Sequence, residues 1–400
     1  MALLPVEEAL ARILDGVSAL GAESVGLLQA PGRVLAEDVV ARLTQPPFNS
    51  SAMDGYAVRA ADIADVRTAL RVIGESQAGR RFDGTVATGE AVRIFTGAAV
   101  PNGADTILIQ ENAERSGDRL SVLEAPRPGA NIRTAGGDFP AGRTVLMAGR
   151  ILDSGAITLA AAAGHARLSV RRKPLVAILA TGDELVEPGS GAPGPDQIVS
   201  SNPYGLAALV ERAGATAKLL GIAADTREAL AEKLTAAAGA DILVTIGGAS
   251  VGDRDLVRPV LEARGLELNF WKIAMQPGKP MLFGHLGDMR VLGLPGNPNS
   301  CLVTARVFVV PLIYRLLGRV EAPACERMAI LAAGLDANGP RQHYMLAVAE
   351  PGAPPRVRAL ASQDSGRISS LVAANVMIVR PPGAPALSAG SAVEILPIDF

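Results

Sequence analysis

Along the chain the spacing of apolar and polar positions changes several times, and each change predicts a different kind of element. Over 6–14 the apolar residues recur at helical spacing and Gly16 follows, which predicts a helix ended by that glycine. From 39 to 123, short runs such as Ala91-Val92-Arg93-Ile94-Phe95 and Asp105-Thr106-Ile107-Leu108-Ile109 stand between clusters of Gly, Pro and Asn, as in a β-rich module. Asp153 then reads as the N-cap of an Ala-rich helix running to Ala163, with Gly164 just past its end.

The texture of 173–318 is different. Leu175-Val176-Ala177-Ile178-Leu179-Ala180, the run 218–222 and Ile242-Leu243-Val244-Thr245-Ile246 are strand-like; the first is continuously apolar, as a strand buried on both faces is, and the third reads as another buried strand. Helix starts fall between them. Asn202-Pro203 reads as a cap followed by Pro at the first helical position, and Asp225-Thr226-Arg227-Glu228 fits a capping box. A helix over 255–264 is followed by the short strand Val291-Leu292-Gly293-Leu294, and Asn297-Pro298 caps another helix. Strands alternating with helices predict βαβ units and a mostly parallel sheet. The last segment carries four short β-like runs, 328–331, 344–348, 376–379 and 392–395, separated by Pro-rich breaks, which predict a small barrel or sandwich.

Composition narrows the function classes. A chain of 400 residues with 49% hydrophobic and 20% charged residues can bury sizeable cores over several domains. Its 38 basic against 40 acidic residues leave no field to hold nucleic acid by phosphate neutralisation. Two cysteines and three dispersed histidines argue against a disulfide framework or a Cys/His zinc site. The N-terminus has neither the basic region nor the apolar run of a secretory signal. The apolar stretch 302–317 is interrupted by Arg306, Pro311 and Arg315, so no membrane span is expected and a cytoplasmic protein is the default.

Candidate chemistry concentrates where parallel strands end, because ligands of open α/β sheets bind at the carboxyl ends of the strands. Four loops leave there: Thr181-Gly182-Asp183-Glu184-Leu185, the turn containing Asp225, the run 247–255, and Leu294-Pro295-Gly296-Asn297-Pro298. Glycines allow close backbone approach, and helix N-termini offer free N–H groups to an anion. Glu184, Asp225, Asp253 and Asp255 stand beside them, and phosphate next to carboxylates calls for a hard cation such as Mg2+. Plainer readings stay open: a strand-to-helix turn at 181–184, helix caps at Asp225 and Asp253, solvated lysines at Lys272 and Lys279. Gly247-Gly248-Ala249-Ser250-Val251-Gly252 is neither a Walker A loop nor a G-x-G-x-x-G fingerprint. The residues alone therefore point to a central domain that binds a phosphorylated small molecule with Mg2+.

Seven strings in order carry a more specific resemblance: Ser51-Ala52-Met53-Asp54-Gly55-Tyr56-Ala57, Phe95-Thr96-Gly97-Ala98, Gly136-Gly137-Asp138, Thr181-Gly182-Asp183-Glu184-Leu185, Ser250-Val251-Gly252, Pro277-Gly278-Lys279-Pro280 and Leu294-Pro295-Gly296-Asn297-Pro298. Together they resemble the molybdopterin molybdenumtransferase family, which includes the C-terminal domain of gephyrin. The resemblance implies an α/β multidomain subunit in four segments. These are an elongated N-terminal linker (1–45 with 140–172), a β-rich inserted domain (46–139), a central Rossmann-like, mostly parallel molybdopterin-binding domain (173–320) and a C-terminal β-barrel-like domain (321–400). It implies insertion of molybdate, as substrate, into adenylylated molybdopterin with Mg2+, with release of AMP and formation of molybdenum cofactor. It also implies a homodimer whose active site is shared between subunits, and contacts with the upstream adenylyltransferase and with molybdoenzyme chaperones. Neither nucleic acid nor membrane is among the implied partners.

By the same resemblance, Asp54, Asp138, Glu184, Asp225, Asp255, Lys272 and Lys279 are the catalytic candidates, and Glu184, Asp225 and Asp255 the metal ligands. Substrate would be held by Thr96, Arg133, Thr181, Gly182, Asn202, Gly247, Gly248, Ser250, Gly252, Pro295, Gly296, Asn297 and Pro298. Gln276 stands where some members of the family carry Lys, Ser200-Ser201-Asn202 where many have an Asp-led string, and Thr134 and Ala135 where some have arginines. An adenylyltransferase on the same central fold and a non-catalytic scaffold are the competing readings. The long insertion argues against the first, the full set of acids against the second.

Overall fold

The structure, a computed structural model, describes residues 3–65, 68–248, 256–320 and 327–398. Its centre is a six-stranded sheet ordered Thr216–Ala223, Leu175–Thr181, Ile242–Ile246, Met289–Leu294, Leu282–Leu286, Glu267–Trp271. The first four strands are mutually parallel and the last two add antiparallel. Alternate side chains go to opposite faces, and both faces are covered. Val176, Ile178, Val244 and Ile246 join one apolar cluster with Phe308 and Leu312, whereas Ala177, Leu179 and Leu243 join another with Leu230, Leu234 and Leu261. The predicted strands are all present, Ile242–Ile246 with the expected bounds and the other three slightly longer than their runs. The strands at 267–271 and 282–286 go beyond the sequence expectation.

The apolar stretch near 302–317 forms part of one continuous helical run, Pro298–Leu316, 83% of it buried inside the molecule. It is long and apolar enough to cross a membrane by length and composition, but here it serves as the core helix of the central domain. A wide π-turn over Ala305–Val309 precedes Pro311. Proline has no N–H to donate and crowds the carbonyl one turn back, so the helix widens there instead of breaking. Arg306 is buried in that turn, and its Nε donates to the Pro397 carbonyl at 3.2 Å.

The flanking segments follow from strand pairing. Ala22–Gly26 pairs antiparallel with Arg167–Arg171, and Val39–Val40 with Thr144–Leu146, so the stretches on either side of the insertion fold together. Between them, Gln45 and Phe139 exchange backbone hydrogen bonds of 2.9 and 3.3 Å, forming a neck. Beyond it lies a six-stranded sheet ordered Thr106–Ile109, Gly55–Val58, Glu90–Ile94, Ala69–Ser76, Arg119–Val122, Ala113–Ser116. At the other end of the chain, Gln342–Glu350, Arg356–Ala359, Arg327–Leu331, Ala392–Pro397 and Val376–Arg380 pair in a ring that closes between the first and the last. This is the barrel that the four β-like runs predicted, completed by the strand 356–359.

The barrel is stitched to the central domain by Met275–Gln276, which pairs parallel with Gln342 and His343. His343 is pressed into this joint. Burial, then the charges of Arg341 and Arg380, push its imidazole down to about 4. A histidine kept neutral by folding stabilises the fold fully above its unfolded value of about 6.5, and that stability is lost as pH falls toward 4. Chemical denaturation of wild type and His343→Gln at pH 7.5 and pH 4.5 should show wild type losing about 1–2 kcal/mol more than the variant, allowing for solvent screening.

Candidate functional site at the carboxyl edge of the central sheet

Because four strands run parallel, their following loops all emerge on one edge. The chain passes from Leu175–Thr181 to a strand on one side and later to Ile242–Ile246 on the other. The order therefore reverses between these two neighbours, and a crevice opens at such a point. Its walls are in close contact. A Cβ on Gly247 would stand 2.7 Å from the Thr181 carbonyl oxygen, and one on Gly248 would stand 2.3 Å from Val257 Cγ2. Both glycines have positive φ, +90° and +60°, which side chains rarely adopt. Gly296 approaches from the next strand, a Cβ there falling 3.9 Å from Gly247 Cα.

Two expected helix caps are corrected. Asn202 does not cap its helix. Ser201 holds the cap position without a side-chain bond, and Asn202 Nδ2 donates to the Gly296 carbonyl at 2.5 Å, tying two loops together across the crevice. Asp225 does not cap the helix Arg227–Ala236 either. Thr226 does, its Oγ1 accepting from the Ala229 N–H at 3.2 Å. Asp225 is thereby left to the site. Its own N–H donates to Asp183 Oδ1 at 2.9 Å. Partial desolvation, then the charges of Asp183 and Glu184, hold its carboxyl above the ordinary range, against a backbone hydrogen bond from Asp183. Glu184 folds back over Gly182, a Cβ at which would stand 2.5 Å from Glu184 Oε2.

Carboxylates crowded in this way are relieved by a hard cation, and oxygen is the donor that Mg2+ takes. Among the described residues no three acids or histidines converge on one point. Asp255, the third expected ligand, lies outside the described residues, as do Ser250, Gly252 and Asp253.

The cations sit at the other end of the edge. Lys272 follows the last strand, and its Nζ lies 5.1 Å over the Trp271 ring, which Arg258 also approaches at 4.9 Å. Lys279 is exposed in the loop that leads into the neighbouring strand. Five strand spacings separate Asp225 from Lys272, roughly 24 Å at about 4.8 Å per step. Among the described residues the edge is thus acidic at one end, glycine-lined in the middle and basic at the other.

Pro295 is buried beneath this edge, and Asn297 precedes the helix starting at Pro298 without a side-chain cap bond. Asn297 Nδ2 instead donates to Ser365 Oγ at 3.1 Å, and Asn299 Nδ2 to the Asp364 carbonyl at 2.7 Å. Arg341 donates to Gln276 Oε1 at 3.1 Å. The barrel therefore brings Arg341 to the basic end and Ser365 to the loop after the fourth strand, contributions no local pattern announced. Gln276, uncharged where some family members have Lys, is held by that arginine.

The insertion forms a second cluster. Asp54 accepts from both the N–H and the hydroxyl of Thr96, each at 2.8 Å. These bonds, the backbone one foremost, hold the Asp54 carboxyl below its usual range, with help from Arg93. Arg133 is exposed beside Ser50 on a two-residue strand, and Asp138 is exposed at the neck, its N–H donating to the Gln45 carbonyl at 3.1 Å. Among the described residues no hydrogen bond joins either side chain to Asp54, and none joins these loops to the central edge. A cavity of about 690 Å³ opens in the linker between residues 35–42 and 165–169, but it holds none of the motif residues.

The cap assignment has a direct test. In urea denaturation, Thr226→Ala should cost about 1 kcal/mol. Asp225→Asn, which relieves like-charge crowding, should leave stability unchanged or raised. Gly247→Ala should cost on the order of 2 kcal/mol, through positive φ and collision with Thr181.

Comparison with known proteins agrees with this architecture. Residues 4–164 match the MoeA N-terminal region (domain I and II), 177–315 a probable molybdopterin binding domain, and 328–398 the MoeA C-terminal region (domain IV). A molybdopterin molybdenumtransferase of Nostoc sp. is 38% identical over 387 residues, 94% of this chain and 88% of that one. One of Haemophilus influenzae is 41% identical over 302 residues, 75% of this chain and 74% of that one. A crystal structure of the molybdopterin biosynthesis MoeA protein from Pyrococcus horikoshii OT3 superposes with a TM-score of 0.85 at 31% identity, covering 98% of this chain and 99% of that one. The chain belongs to the MoeA family, whose curated members named here are molybdopterin molybdenumtransferases.

Proposed function

We propose that this chain is a molybdopterin molybdenumtransferase that inserts molybdate into adenylylated molybdopterin, releasing AMP and forming molybdenum cofactor in the cytoplasm. The observation that carries the reading is the polarised carboxyl edge, in a chain whose relatives bear that name. An elongated substrate with a phosphoanhydride link needs acids for a cation at one place, glycines that let backbone approach its phosphates at another, and basic donors for an oxyanion at a third.

Glu184, Asp225 and Asp255 are the residues that would hold Mg2+, which when bound neutralises phosphate oxygens as the phosphoanhydride breaks. Thr181, Gly182, Gly247 and Gly248, with Ser250 and Gly252 of the following loop, would cradle the phosphates. Asn202, Pro295, Gly296, Asn297 and Pro298 would shape the neighbouring wall. Lys272 and Lys279 would hold molybdate, whose charge they match. With purified protein and Mg2+, AMP release should depend on molybdate, and Asp225→Asn should lower it by at least about 100-fold. Release indifferent to molybdate, or none at all, would overturn the assignment.

The second cluster supports the homodimer reading. Asp54, Thr96, Arg133 and Asp138 lie in loops of the insertion, and among the described residues no hydrogen bond joins them to the central edge of their own chain. In the shared-site reading they serve the partner subunit. Asp54→Asn and Asp225→Asn should each be inactive alone, yet random mixing should restore about one quarter of wild-type turnover, from the one intact site in each mixed dimer. A site built within one chain would give no recovery.

A further inference from the structure

Lys272 has a backbone conformation that few non-glycine residues adopt, with φ at +78°. Such a residue persists only where its surroundings hold it. Here the holding is done one backbone group at a time. The Lys272 N–H donates to the Met281 carbonyl at 2.9 Å and the Ile273 N–H to the Lys279 carbonyl at 3.0 Å, closing the neck of the loop that carries both lysines. The next N–H, that of Ala274, donates to the Leu4 carbonyl at 2.7 Å, and Leu4 pairs in parallel with Ile273. The Ala274 carbonyl accepts from the Gln342 N–H at 2.9 Å. Ala274 is thus gripped on one side by the beginning of the chain and on the other by the barrel.

The grip at Leu4 is itself anchored. The helix Val6–Leu14 starts two residues later and buries Val6, Ala9 and Ile13 in the main core. Leu4 packs against the same core, which also takes in Ile273, Met275 and Met281, so the helix anchors it beside the lysine loop. Its carbonyl presents a fixed acceptor to a loop whose lysine side chains make no ion pair among the described residues. A displacement of about 1 Å at a binding group weakens what it binds far more than it weakens the fold.

Building on the proposed function, we infer that Leu4 is a positioning residue: its backbone pairing with Ile273 and Ala274 sets Lys272 and Lys279 for the oxyanion substrate. The basic end of the site is complete only when the N-terminal segment and the barrel have both docked on the same four residues, 273–276.

The test compares wild type, a deletion of residues 1–4, and Leu4→Ala, which keeps the backbone pairing. In the deletion, exchange of the Ala274 amide should accelerate at least about tenfold, and KM for molybdate should rise about tenfold with kcat within about twofold. Leu4→Ala should keep both near wild type. Several outcomes overturn the inference: an Ala274 amide that exchanges freely in wild type, a deletion that leaves KM for molybdate unchanged, or a deletion that lowers kcat and loosens every substrate alike. The wild-type exchange measurement stands even if the deletion fails to fold. Wild type without molybdate-dependent AMP release would instead remove the proposed function, leaving the exchange result to judge the contact itself.

Discussion

A strand hydrogen-bonded in parallel to its neighbours must release the chain at the same edge as they do, and the rest of this molecule depends on that constraint. Register aligns Thr181, Ala223, Ile246 and Leu294 near one line, so four loops distant in sequence share one surface. The reversal of order between the first strand and the third keeps the crevice between them from being filled by a crossover. Close contact of Gly247 and Gly248 with Thr181 and Val257 then fixes its floor in backbone rather than in mobile side chains.

Much of this was legible because parallel strands buried on both faces must be apolar throughout. Leu175-Val176-Ala177-Ile178 reads as a strand buried on both faces, and the glycines around Ser250 exceed what a simple turn needs. The edge strand Thr216–Ala223 was less plain, since Lys218 and Leu219 are exposed. Local pattern failed where one residue type serves two purposes. Asp and Asn before a helix look like caps, yet Thr226 and Ser201 stand in the cap positions and leave Asp225 and Asn202 to long-range partners. Arg341 and Ser365 were illegible for another reason: their relevance comes from barrel docking, which no short window encodes.

Among the described residues, charge is separated along the edge rather than mixed. Acids at one end and lysines at the other, roughly 24 Å apart by strand count, cannot neutralise one another as surface pairs. Each end keeps its field for something that arrives from outside. The Lys272 ammonium rests over an indole instead of a carboxylate, a contact of about 0.5–1 kcal/mol at an exposed site, which a substrate anion can displace.

The neck at Gln45 and Phe139 has a mechanical consequence. A domain hung on one connection behaves as a ball joint, free about three axes. The insertion leaves and returns through two adjacent crossings laced by backbone hydrogen bonds, which makes a door hinge. Its low-cost motion is a swing about the line joining the two crossings, with twist and lateral drift suppressed. Asp54 and Thr96, bonded to each other on that door, travel as one body along a single arc. Whatever surface they meet must lie on that arc.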